Sequence, residues 1–163
     1  MWYNGYTKQK IKGAMIVMVK GTTREILFRG KRIDNDEWVE GYYVYDESGQ
    51  TTEEPTAYIC YLNRHPCGWS LIPYKVIPES VGQYTGLNDK NNAKIFEDDI
   101  VEGSDFTPED CGYGTIAFDD GAFEVSGYDI VGTFHDNYYG KEFEVIGNVF
   151  DNADLLEENS NEI

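Results

Sequence analysis

Apolar and polar residues alternate in short runs along most of this chain, and turn-forming residues separate the runs. A period of two predicts strands, and no stretch keeps the 3.6-residue period of a long helix. Residues 25–29 form a compact apolar run closed by Gly30, with Lys31 and Arg32 behind it. Residues 38–45 are rich in aromatic and β-branched side chains, which suit a pleated, half-buried surface. Asp34, Asn35 and Asp36 cluster as a turn between these runs, so the two predict a hairpin. Trp38, Tyr42, Tyr43 and Tyr45 are expected in the core and in cross-strand pairs, and the polar residues 46–55 in a mobile loop. Residues 57–62 predict another strand. Residues 69–77 predict one more, which Pro73 and Pro78 demote to a sheet edge or an extended crossing piece.

Residues 78–92 are dense in turn formers, with Gly82, Gly86, Asn88, Asn91 and Asn92, and read as a joint between two lobes. A strand over residues 99–102 follows, then a Gly-rich loop over 103–112. The clearest hairpin signal comes next: residues 114–118 alternate, Asp119, Asp120 and Gly121 turn, and residues 122–125 alternate again. Residues 143–150 predict a final strand bent at Gly147, and Asn152 is placed to cap a short helix through Glu157. The fold class is mainly β. Its expected organisation is an N-terminal arm (1–23), a β-rich lobe (24–78), a second lobe (79–158) and an acidic tail (159–163).

With 163 residues the chain has room for one ordinary domain or two small ones, and for a core that needs no disulfide. Aromatic residues at 15% argue against disorder despite a net charge of −17. That charge is uneven. Residues 1–24 carry +5 and no acid, which leaves −22 on the remainder. A body of that sign repels phosphate backbones, and Arg29, Lys31 and Arg32 are its only cationic cluster. Residues 1–23 also hold every methionine, Met1, Met15 and Met18. Two readings fit them, an extension from an upstream start codon or a loosely held arm, and both make the arm dispensable for folding. Cys60, Cys67 and Cys111 are an odd number at no repeating spacing. Together with the lack of a signal-peptide pattern they point to a reducing, cytoplasmic setting. The longest apolar run, residues 14–19, is far too short to be a membrane helix.

Candidate chemistry is sparse. Cys60, His65, Cys67, Cys111 and His135 include the ligand types of a zinc site, but no Cys-x-x-Cys knuckle organises them, so metal binding is left open. Asp98-Asp99 and Asp119-Asp120 are paired acids. Neighbours on a strand point to opposite faces, and the second pair is explained by its turn. The segment from Gly82 to Gly86 lacks the Gly-Lys-Ser/Thr that a phosphate loop requires, so a turn is expected there. Ser70, Ser80, Ser104 and Ser126 have no nucleophile-elbow context. No catalytic, cofactor-binding or metal residue is assigned, and the expected protein is not an enzyme.

Three stretches carry a family resemblance: Arg24 through Arg32 followed by Asn35-Asp36-Glu37-Trp38-Val39-Glu40-Gly41; Ile77 through Lys90 with its Gly-Gln-Tyr-Thr-Gly-Leu block; and Ile95 through Val101. Glu144-Val145-Ile146-Gly147-Asn148 and Asp151 through Leu156 complete it. Over residues 24–158 the chain resembles YopX-like phage and prophage proteins, which commonly carry Gly where this chain has Asp98 and Pro where it has Ala153. The resemblance implies an SH3-like barrel in the C-terminal lobe, a role inside a bacterial host, and room for a homo-oligomer. It brings no catalytic residues. The expected function is contact with a host or phage protein, without membrane association or direct nucleic-acid binding. The alternative is a nucleic-acid-associated or DNA-mimicking regulator.

Overall fold

The computed structural model describes residues 6–11, 14–19, 25–47, 55–104, 111–127, 131–133 and 143–157. Strands β1 (Tyr6–Ile11) and β2 (Ala14–Val19) pair antiparallel as a two-stranded sheet. β3 (Phe28–Lys31), β4 (Trp38–Asp46), β5 (Thr56–His65) and β6 (Gly68–Val76) form an antiparallel meander. The predicted turn joins β3 to β4, with Asp36 at φ 59°. Residues 48–54, within the expected mobile loop, lie outside the described residues. As expected from Pro73, β6 stands at the end of its sheet.

The meander curls until its ends meet. Arg32 bridges to Val76, Ile33 N donates to the Lys75 carbonyl at 3.1 Å, and Ile77 N donates to the Lys31 carbonyl at 2.9 Å. Alternation then gives the strands an inner face, where Ala57, Ile59 and Val76 are buried against Phe28, Val39 and Val81. Gly30 lies on that face because a Cβ there would come within 3.1 Å of Ile59 and Val76. Arg29, Lys31, Trp38, Tyr42, Cys60 and Leu71 fall on the outer face by the same alternation.

After a 3-10 turn (Pro78–Ser80), β7 (Gly82–Asn88) and β8 (Lys94–Phe96) extend the first sheet through β3. The segment from Gly82 to Gly86 is therefore strand, which corrects the turn expected there. Its glycines serve other needs. A Cβ on Gly82 would sit 2.7 Å from the Glu97 carbonyl, and Gly86 adopts φ 90° where the register with β8 shifts.

The second sheet contains β9 (Asp99–Ser104), β10 (Cys111–Asp119), β11 (Ala122–Gly127), β12 (Val131–Thr133) and β13 (Glu144–Asn148), in the order β12-β11-β10-β9-β13. The last strand returns to pair with the first, the strand order of an SH3-like barrel. Asp119 opposes Ala122, and Asp120 and Gly121 (φ 45° and 85°) complete the expected two-residue turn. The β13 register shifts between Val145 and Gly147, at the bend predicted there. Ile95, Val101, Ile116, Phe123, Val125 and Phe143 form the core, with Leu87 and Val145 packed on it. Leu87 and Ile95 belong to β7 and β8, so hydrogen bonding ties those strands to one sheet while their side chains fill the core of the other.

Helix α1 (Asp154–Glu157) is a single turn. Asn152 lies at its start, yet its Oδ1 accepts from Asn148 N at 3.2 Å and crosses Gly147, where a Cβ would come within 2.6 Å. Its side chain secures the bend, and its main-chain carbonyl accepts from Leu155 N at 3.1 Å at the start of the helix.

Two turns test these assignments. Gly121→Val places a β-branched residue at positive φ and is expected to cost more than about 1 kcal/mol in chemical denaturation. Asp98 holds φ 61° while its N–H donates to Ile116 O at 2.9 Å. Asp98→Gly is therefore expected to be neutral to stabilising, within about 1 kcal/mol. An unchanged midpoint for the first variant would misplace the hairpin.

Candidate functional site

Two regions concentrate unusual side chains, and the first is the seam between the sheets. Arg29 projects from β3 and meets Asp99 of β9 as an ion pair, with the Asp99 side chain almost wholly buried. Arg29 Nη2 also donates to the Glu97 carbonyl at 2.9 Å. The guanidinium lies over Trp38 and Phe96, 4.9 and 5.1 Å from the ring centroids. Asp99 Oδ2 accepts from Phe96 N at 2.7 Å, which fixes the turn between β8 and β9. The Arg29 Nε is buried without a hydrogen-bond partner, so the site is imperfectly satisfied. A second clamp lies alongside. Asp151 accepts from Lys31 Nζ at 2.6 Å and from Trp38 Nε1 at 2.7 Å, and Phe150 meets Trp38 edge-on.

This arrangement accounts for the three cations weighed as a phosphate-binding patch. Arg29 is paired with Asp99, Lys31 with Asp151, and Arg32 with Asp34 and Glu37. Each is held by a carboxylate of its own chain. Of the paired acids Asp98 and Asp99, the first occupies a positive-φ turn and the second the seam. Burial raises the carboxyl pKa values of Glu97, Asp98 and Asp99 above their ordinary range, that of Asp99 to about 6. Glu97 Oε2 accepts from Gln83 N at 2.7 Å. Glu97 and Asp99 thus have structural partners.

The remaining candidates are scattered. Cys60 is buried in β5, whereas Cys67 is exposed in the turn from β5 to β6. His65 ends β5 with its Nε2 3.2 Å from Ser70 Oγ. The Cys111 side chain and His135 lie outside the described residues. Asp119 and Asp120 are exposed in their hairpin turn.

The second region is the outer face of β4, β5 and β6. Tyr42 (54% exposed), Val44, Leu62, Leu71 (51%) and Trp69 (71%) share this face by strand alternation and register. Tyr43 and Tyr45, on the other face of β4, are exposed as well, although Phe28 lies 5.4 Å from the Tyr43 ring. The expectation that this tyrosine run packs in the core is therefore overturned. The inner face is filled by small and aliphatic residues of β5 and β6, and the outer face extends past the seam, which covers only its Arg29 side. One sequence signal marks this region: residues 55–78 contain no acid in a chain that has 30.

A family model described as YopX protein matches residues 27–157, most of the chain. The chain belongs to the YopX protein family. It is also similar in fold to the crystal structure of protein EF1440 from Enterococcus faecalis, with a TM-score of 0.54 and 24% identity over 81% of this chain and 98% of that one. No curated protein matches it. Asp98 adopts φ 61°, a conformation that favours glycine. Among the described residues of this YopX protein, no helix is long and apolar enough to cross a membrane.

The raised Asp99 pKa fixes the sign of a pH dependence. An acid whose folded pKa exceeds its unfolded value favours folding most when protonated. Its contribution is complete below the unfolded value of 3.8 and is lost as pH rises through about 6. Up to about 3 kcal/mol is at stake. Urea midpoints are expected to fall between pH 4 and 6.5 more steeply for the native chain than for Asp99→Asn. Parallel slopes would show that Asp99 titrates normally.

Proposed function

We propose that this YopX protein is a non-enzymatic interaction module, encoded by a phage or prophage and acting on a host or phage protein in the bacterial cytoplasm. One observation carries the reading: the exposed aromatic and aliphatic face of β4, β5 and β6. Large contiguous apolar patches on a folded domain mark contact surfaces, because leaving them in water is unfavourable. Glu97 and Asp99, whose raised pKa values elsewhere suggest catalysis, are engaged by groups of the same chain.

Association with single-stranded nucleic acid is the second reading. Trp69 and Arg64 face each other in register on the exposed face, and Lys75 lies further along it, so aromatic and cationic groups are adjacent. Two cations on a chain of net charge −17 make a weak electrostatic site, and the aliphatic Val44, Leu62 and Leu71 give bases nothing to stack on.

Immobilised full-length protein and its Tyr42→Ser/Trp69→Ser variant, exposed to host-cell lysate, separate the readings. The native surface is expected to retain a specific protein that the variant does not. Neither form should shift random duplex or single-stranded DNA at micromolar concentration and about 0.15 M salt. A tight, steeply salt-dependent DNA shift abolished in the variant would replace this reading with the second.

A further inference from the structure

The outer edge of β6 has two different halves. Lys75 and Ile77 point their backbone groups outward, to Ile33 and Lys31 at the closure with β3. The β5–β6 register runs unbroken from Ala57–Val76 to His65–Gly68, so Trp69, Leu71 and Pro73 point theirs outward too. Pro73 agrees, since it lacks an N–H and could not serve the β5 side. Among the described residues, no strand pairs with this edge over residues 68–74.

We propose that a second copy of the chain adds here, β6 against β6, antiparallel about a two-fold axis at Ser70. Trp69 would then exchange two N–H···O=C bonds with the second copy's Leu71, and Leu71 with the second copy's Trp69. Pro73 sets this register. Centred on Leu71, the pairing would aim a ring without a donor at the second copy's Trp69 carbonyl. Centred on Ser70, Pro73 lies beyond the second copy's β6, opposite its Cys67. Trp69 of each chain then packs beside Leu71 of the other on one continuous face, with Leu62 on the next strand.

Electrostatics points to the same edge. Two bodies of −17 repel, and the acid-free stretch 55–78 lets them meet without opposing carboxylates at the contact. The two Arg64 side chains would be about three strand spacings apart, roughly 14 Å, beyond the ~8 Å screening length at physiological salt. The joined edges are short, so the dimer is weak and reversible. Salt should strengthen it by screening the net repulsion, whereas salt would weaken a contact made by opposite charges.

This inference rests on the reading of the β4–β5–β6 face as a contact surface. Sedimentation velocity on the full chain from about 10 to 500 µM, with reductant to keep the exposed Cys67 free, tests it. The expected result is a monomer–dimer equilibrium whose dissociation constant falls several-fold from 0.05 to 0.5 M NaCl. Leu71→Pro removes an outward N–H, and Trp69→Glu puts a carboxylate into the seam of the dimer. Both should be monomeric throughout, and the exposed Trp69→Glu site keeps the test valid if Leu71→Pro disturbs the fold. A monomer at every concentration, or a dimer that survives Trp69→Glu, overturns the proposal. Lysate capture that depends on Tyr42 and Trp69 would persist in that case, which separates failure of self-pairing from failure of the interaction reading.

Discussion

The relation between the two sheets depends on one buried ion pair. Arg29 leaves β3 with its guanidinium between the Trp38 and Phe96 rings, and Asp99 receives it at the first residue of β9. The desolvation cost of such a pair can exceed its Coulombic gain, and the raised Asp99 pKa is the signature of that balance. The pair therefore acts chiefly as a positional constraint. An unpaired Arg29 or Asp99 would be a buried charge without compensation, so alternative dockings of the sheets are penalised. Around this point the Lys31–Asp151–Trp38 clamp and the shared strands β7 and β8 make the two sheets one body.

That constraint also shapes the surface. The seam pairs Arg29 and Lys31 with carboxylates of their own chain, and leaves the outer face of β4, β5 and β6 as the exposed apolar region. The lobe closes through Arg32 and Val76, which fills its inner face with Ala57, Ile59 and Val76. With the inside full, the tyrosines of β4 have no core to enter.

Features set by local chemistry were legible in the sequence. Asp120 and Gly121 supply the left-handed positions of a tight hairpin, Asp34 to Asp36 turn β3 into β4, Pro73 marks an edge and Gly147 a bend. Features set by distant partners were not. Gly82 and Gly86 look like turn residues, because nothing local shows that one must clear the Glu97 carbonyl and the other accommodate a register shift. The pairing of Arg29 with Asp99 joins sites far apart in the chain and has no periodic trace. The run Tyr42-Tyr43-Val44-Tyr45 has no polar face, and its pattern alone cannot say whether both faces are covered. The acid-free stretch 55–78 was visible in the sequence, and it coincides with the exposed apolar face.

A double-mutant cycle on Arg29→Met and Asp99→Asn tests the central constraint most directly. At pH 7.5 Arg29→Met should destabilise strongly, by roughly 3 kcal/mol, because it strands the buried Asp99 carboxylate. Asp99→Asn should cost little, since the raised pKa already favours a neutral side chain there. In the Asp99→Asn background Arg29→Met should cost less by more than about 1 kcal/mol. At pH 4.5, where Asp99 is largely protonated, that coupling should shrink. Additive losses at both pH values would contradict the account and leave the two sheets docked by apolar packing alone.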